Sequence, residues 1–277
     1  MNEPLRTALS CRSYLFVPGD RPERFDKALA SGAHAVILDL EDAVIPERKP
    51  LARAAMAGWL ARSTARVFVR VNPAGTPWHE EDCALLAYAA VRGVMVPKAE
   101  DAGVLAQVAA RLRPEQELLP LVETVAGHFE AATLAQVPRV SRLAFGSFDF
   151  MSDSGIQGDA EELDAVRTHL VLVSRLHGLQ PPVDGVSLAI DDAAQLEQDV
   201  RRSRRFGMGG KLCIHPRQVP VVHTGFAPRP EEVDWARRVL EALAAGPLGA
   251  IAVDGKLVDR PIALRAEAIL GEAEAAG

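Results

Sequence analysis

Three acids, Asp39, Glu41 and Asp42, close the apolar run VILDLEDAV at Val36–Val44. On an extended strand Asp39 and Glu41 share one face, and Asp42 falls on the other or in the loop beyond. Burying one carboxylate unpaired is costly, and three crowded together repel. The cluster is therefore either a solvated strand end capping the next helix or a site with a positive partner: a metal, an arginine or a cationic substrate. Glu123 and Asp149 close two later apolar runs, LLPLVE and LAFGSFD. Acids alone favour a hard divalent cation such as Mg²⁺, which takes one or two carboxylates plus waters and substrate oxygens. Glu123 and Asp149 are the expected ligands, with Glu41 and Asp42 placed to hold the metal's waters. Zinc fits less well, because the seven histidines show no ligand spacing and pair with no cysteine. Of these histidines, His215 is the candidate for a functional role. Arg70, inside VFVRVN, could take a 2-oxo acid's carboxylate in its guanidinium fork while the metal polarises the adjacent carbonyl. An interior ion pair with Glu41 or Glu123 is the other reading of Arg70, and the two are not exclusive.

These residues need a scaffold that brings distant strand ends together. Short apolar runs alternate with helical patterns along the chain. Strands are expected at Ser13–Val17, Ala35–Leu40, Arg66–Val71, Gly93–Val96, Leu118–Val122, Arg142–Phe145, Pro182–Val186 and Gly210–Ile214. Each is followed by a helical stretch, and the strands are continuous Val/Ile/Leu runs, as parallel strands buried on both faces require. Eight βα repeats predict an α/β TIM barrel, with a doubly wound open sheet as the alternative. In a barrel the site lies at the carboxyl ends of the strands. Asp20, Arg21, Glu41, Asp42, Asn72, Lys98, Glu123, Asp149, Asp184, Lys211 and His215 all close or follow an apolar run. The barrel is expected over residues 1–228, followed by a C-terminal extension over 229–277. That extension reads as an amphipathic helix, a hairpin turning at Asp254-Gly255, and a last helix over Pro261–Glu274.

The 277 residues suit one barrel of roughly 250 residues with an extension. No apolar run reaches the ~18 residues of a membrane span, and the start lacks a signal pattern, so the expected compartment is the cytoplasm. Cys11, Cys83 and Cys213 are odd in number and widely spaced, which makes neither a disulfide framework nor a zinc pattern. A net charge of −6 without a basic block argues against nucleic acid as the partner.

RSYLFVPG, LDLEDAV, RVN, VPKAE, VET, GSFDF and GKLCIHP stand in that order between Arg12 and Pro216. Together they resemble the citrate lyase β-subunit family, within the larger group of Mg²⁺-dependent HpcH/HpaI-type 2-oxo-acid aldolases. The resemblance implies a TIM barrel, Mg²⁺, trimeric assembly (a homotrimer or a dimer of trimers) and reversible carbon–carbon cleavage of a carboxylated 3-hydroxyacyl thioester. It implies that Glu123 and Asp149 hold the metal, that Arg70 binds substrate, and that Glu41 and Asp42 lie near the metal's waters. Arg12 and Lys27 match basic groups near the thioester carrier. KLVDRPIALRA at Lys256–Ala266 is similar to the tail of the CoA-ester lyases, where such a segment covers the neighbouring subunit's site; it makes Asp259 the candidate acid–base residue. Read locally, Asp259 is an N-cap for the last helix. The implied activity is that of an acyl-CoA lyase of the citramalyl-CoA or malyl-CoA type, giving acetyl-CoA and pyruvate or glyoxylate. The rivals are a malyl-CoA thioesterase, a citrate lyase β-subunit acting on a carrier-protein thioester, and a non-catalytic acyl-CoA-binding protein.

Overall fold

The computed structural model describes residues 11–245 and 251–274. Residues 11–223 form one compact unit and the chain from residue 224 belongs to a second. In the first, eight parallel strands close a barrel in sequence order. They are β1 (Ser13–Pro18), β2 (Ala35–Asp39), β3 (Val67–Arg70), β4 (Val91–Val96), β5 (Glu117–Val122), β6 (Ala144–Phe145), β7 (Val183–Asp184) and β8 (Gly210–Cys213). β8 closes the ring on β1 through Ser13 opposite Lys211 and Leu15 opposite Cys213. The chain is thus the α/β TIM barrel expected, not the open sheet.

The helices are α1 (Phe25–Leu29), α2 (Lys49–Leu60), α3 (His79–Cys83), α4 (Ala102–Ala109), α5 (Val125–Leu134), α6 (Ser147–Ser154), α7 (Asp164–Leu176), α8 (Ala193–Phe206), α9 (Gln218–Phe226), α10 (Pro230–Ala245) and α11 (Arg260–Glu274). Local chemistry sets several ends. Asp101 caps α4 by accepting from the Gly103 N–H at 2.6 Å, and Thr124 caps α5 through the Gly127 N–H. Asp192 caps α8, whose last turn carries Arg204 and Arg205 before Gly207 at φ 90°.

The barrel interior is filled by Tyr14, Ile37, Phe68, Met95, Leu119, Leu121, Ala144, Val183 and Leu212, all buried. Packing there is close enough that a Cβ on Gly93 would lie 2.4 Å from the Glu117 carbonyl oxygen and 2.7 Å from the Phe68 ring. Two expectations change. β6 spans only Ala144–Phe145, and Arg142, expected to open it, is a buried anchor instead. Its guanidinium donates to the Cys11 carbonyl at 2.6 Å and to the Pro181 carbonyl, tying β6's approach to β1 and β7. Asp149, expected at a strand end, lies in the first turn of α6, which begins two residues after β6.

In the second unit β9 (Ile251–Val253) and β10 (Lys256–Val258) pair antiparallel. Asp254 and Gly255 join them at φ 51° and 73°, the two positive φ values of a type I′ turn, so the hairpin stands as expected. Val253 and Val258 pack with Ala236 and Val239 of α10 and Ala266 and Ile269 of α11. Among the described residues no helix is long and apolar enough to cross a membrane.

Candidate active site

β2 and β3 run in register so that Asp39 and Arg70 are direct partners at their carboxyl ends. Arg70 donates from Nε to Asp39 Oδ1 at 2.7 Å and from Nη2 to Oδ2 at 2.5 Å, a bidentate fork. Its plane lies over the Phe16 ring at 4.6 Å. Asp39 also accepts the Glu41 N–H at 2.9 Å and the Ala43 N–H at 3.3 Å, so the same carboxylate shapes the loop that carries Glu41 and Asp42. Lys49 and Asn72 fix that loop from outside, donating to the Leu40 carbonyl at 2.7 and 3.0 Å.

Arg70 Nη1 lies 2.8 Å from Glu41 Oε2 and 3.8 Å from Asp42. The approach to Glu41 is an ion-pair distance without hydrogen-bond alignment, and Oε2 has no hydrogen-bond partner. Burial pushes the Glu41 carboxyl up to about 8; Arg70 opposes this, and Glu123, Asp42 and Asp39 add to it. Burial alone would lower the Arg70 pKa, but Asp39, Glu41 and Asp42 outweigh it and raise it further. The substrate fork expected of Arg70 is thus occupied on its Nε edge by Asp39, leaving the Nη1 side toward Glu41 and Asp42.

Glu123, at the end of β5, is 1% exposed. Burial and the Asp149 carboxylate push its pKa up to about 7, against the pull of the Lys98 N–H, Arg70 and Lys98's charge. Gly146 permits this placement: a Cβ there would meet Glu123 Cβ at 2.5 Å and Oε2 at 2.7 Å. Lys98, after β4, stands at φ 45°, unusual for a residue with a side chain. That turn aims its N–H at Glu123 Oε1, 2.8 Å away. Burial would lower the pKa of its ammonium, but Glu123, Glu41, Asp149 and Asp42 together raise it. Glu41, Asp42, Arg70, Glu123 and Asp149 therefore share one electrostatic neighbourhood at the carboxyl end of the barrel. Asp39, whose pairing with Arg70 the sequence did not show, and Lys98, which follows β4, join it. Among the described residues no group of three or more His, Cys, Asp or Glu side chains forms a metal cage.

Other candidates lie elsewhere. Arg12 precedes β1, at the amino end of the barrel, where its N–H donates to His34 Nδ1 at 3.0 Å. Lys27 is exposed on α1, in the crossover that leaves the carboxyl end of β1. His215 Nδ1 accepts the Arg217 N–H at 3.1 Å, a turn contact after β8. Asp259, exposed in the second unit, caps α11 through the Ile262 N–H at 3.2 Å. A cleft of about 670 Å³ runs beside the acid cluster rather than through it, between Phe148, Asp159, Ser187 and α8.

The model of the HpcH/HpaI aldolase/citrate lyase family matches residues 12–216. The chain belongs to that family. A (3S)-malyl-CoA thioesterase from Cereibacter sphaeroides is 34% identical over 278 residues, covering 95% of each chain. An L-malyl-CoA/β-methylmalyl-CoA lyase from the same species is 34% identical over 312 residues, covering 98% of this chain and 97% of its own. The crystal structure of CitE from Mycobacterium tuberculosis with magnesium, acetoacetate and coenzyme A has a TM-score of 0.83 and 34% identity. It covers 95% of this chain and 98% of that one.

The raised pKa values give a signed pH dependence. A carboxyl whose folded pKa lies above its unfolded value is destabilised in its charged form, so the associated stability is full at low pH and is lost as pH rises through the folded pKa. For Glu123 and Glu41 that window opens at the ordinary carboxyl value of 4.5 and closes at about 7 and about 8 respectively. His34, His128 and His223, all lowered by burial, act in the opposite sense below the ordinary imidazole value of 6.5 and are neutral in both states only above about 7, so the upper part of the window is the one free of them. In EDTA, the thermal midpoint falls between pH 6.8 and pH 9, and Glu41→Gln flattens the fall. Midpoints equal in slope for wild type and Glu41→Gln would contradict the assignment.

Proposed function

We propose that this chain is a Mg²⁺-dependent acyl-CoA lyase that cleaves a carboxylated 3-hydroxyacyl-CoA, of the citramalyl-CoA or malyl-CoA type, to acetyl-CoA and a 2-oxo acid. The observation that carries this is Glu123: a carboxylate buried beside Asp149, its charge incompletely compensated. The donor set fits Mg²⁺, whose usual protein share is one or two carboxylates completed by waters and substrate oxygens. Glu123 and Asp149 would hold the ion, with Glu41 and Asp42 orienting its waters. When bound, Mg²⁺ supplies Lewis-acid polarisation of the oxo-acid oxygen.

This chain's own residues do the rest. Arg70, held by Asp39, presents its Nη1 side to the oxo-acid half and stabilises negative charge developing there. Preorganisation counts here, because a guanidinium already fixed need not reorient during the reaction. The Lys98 ammonium adds a second cation facing the same carboxylates. In cleavage, a base takes the substrate hydroxyl proton, the carbon–carbon bond breaks, and its electron pair forms the enolate of acetyl-CoA. Asp259 of a neighbouring copy in a homotrimer would then protonate the enolate carbon, or deprotonate acetyl-CoA in reverse. Its cap bond to Ile262 uses one carboxylate oxygen, and the other, without a hydrogen bond among the described residues, would serve proton transfer. Lys27 would lie toward the CoA moiety; Arg12, at the opposite end of the barrel, takes no part in this reading.

Hydrolysis of the same thioester is the second reading, favoured by the full-length similarity to (3S)-malyl-CoA thioesterases. Incubation with citramalyl-CoA and malyl-CoA, with Mg²⁺ or EDTA, separates the two by mass spectrometry. Mg²⁺-dependent acetyl-CoA is the expected product, and the faster ester names the oxo acid. Free CoA without acetyl-CoA would establish the thioesterase, and no turnover of either ester would exclude both as substrates.

A positioned acid–base group contributes ~10²–10⁴-fold. Asp259→Ala is therefore expected to cut kcat by about that factor, while Asp259→Asn, which keeps the cap acceptor, falls equally. Recovery of wild-type kcat by Asp259→Asn would reduce Asp259 to its capping role.

A further inference from the structure

The metal ligand Asp149 is not on a barrel strand, so something other than the sheet must fix it. Its helix, α6, begins at Ser147, which is 1% exposed. The first turn is wedged between two strand ends. On one side Gly146 presses on Glu123 of β5; on the other, a Cβ on Gly185 would lie 2.5 Å from Ser147 Oγ. The wedge limits sideways movement but supplies no directional bond. That bond comes from Asp159, in the loop after α6: Ser147 Oγ donates to Asp159 Oδ2 at 3.0 Å.

Asp159 is itself held by two arginines. Arg167 of α7 donates from Nη2 to Asp159 Oδ1 at 2.5 Å and from Nη1 to its carbonyl at 3.2 Å. Arg202 of α8 reaches the same carbonyl at 3.1 Å. Arg167 also donates from Nε to Asp184 Oδ1 on β7, at 3.0 Å. Arg167 and Asp184 are 3% and 2% exposed, so the pair is shielded from solvent screening. A continuous chain of charge-assisted bonds therefore runs from β7 through Arg167 and Asp159 to the first residue of α6. Ser147 and Asp149 are two residues apart, about 3 Å along a helix axis.

We propose that Asp159 is the positioning residue for Asp149: through Ser147 it sets the rotation and depth of the first turn of α6, and so the site's affinity for a divalent cation. Asp159 touches neither metal nor substrate in this role, which rests on the Mg²⁺ reading above. Outer partners of metal ligands typically contribute 10–100-fold in affinity.

The test is Mg²⁺ titration by isothermal calorimetry into wild type, Asp159→Ala, Ser147→Ala and Asp149→Ala, with thermal midpoints measured in EDTA. Ser147→Ala removes one hydroxyl and leaves the Arg167–Asp159 pair intact, so it reports on positioning even if Asp159→Ala folds poorly. Wild type binds; Asp149→Ala does not. Ser147→Ala and Asp159→Ala bind ~10–100-fold more weakly, and turnover recovers at saturating Mg²⁺. Wild-type affinity in Ser147→Ala, or lowered midpoints with unchanged affinity, would overturn the positioning role alone. A wild-type protein that takes up no Mg²⁺ would overturn the metal reading and this role together.

Discussion

The carboxyl end of the barrel depends on the fork between Arg70 and Asp39. A guanidinium this deeply buried without a partner would cost several kcal/mol; Asp39 on the adjacent strand removes that penalty with two aligned bonds. The same carboxylate accepts two loop N–H groups, so one pairing fixes both the cation and the loop carrying Glu41 and Asp42. Burial makes the Glu41 carboxyl hard to ionise, and because Asp39 satisfies Arg70 first, Glu41 receives only the unaligned side of the guanidinium, which offsets that burial in part. Glu123 meets a similar fate across the barrel mouth. Five carboxyl groups thus share the neighbourhood of three cations, Arg70, Lys98 and Lys49, which leaves the acids in excess.

Glycines let the acids approach this closely. Gly146 allows Glu123 to nest against the start of α6, and Gly185 allows the end of β7 to meet Ser147. Such contacts replace side-chain volume with backbone contact, which suits a cluster whose geometry must hold without a metal. Lys98 gives the clearest sign of local strain: a side-chain-bearing residue at positive φ, held by the bond its N–H makes to Glu123.

The barrel was legible in the sequence because each strand buried on both faces leaves a continuous apolar run, and eight such runs alternate with helices. The acid cluster was legible for the same reason, since charged residues stand out where apolar runs stop. α6 was not, because it starts directly after a two-residue strand and SFDFMSDS carries no helical stripe, so Asp149 read as a strand end. The Asp39–Arg70 pairing was hidden because register between strands is a tertiary property; a single chain shows two charged residues, not that they face each other. For Arg12 the family motif suggested a place near the thioester carrier, whereas its position just before β1 puts its backbone at the amino end of the barrel. Lys98 was legible as the residue closing its strand, but its left-handed backbone and the bond from its N–H to Glu123 were not.

On the reading proposed above, Glu123 and Asp149 form a divalent-cation site at the barrel mouth. A crystal soaked in Mn²⁺ and measured at the manganese absorption edge tests it directly. One anomalous peak in contact with both carboxylates is expected. A peak elsewhere, with Glu123 and Asp149 free of metal, would contradict it.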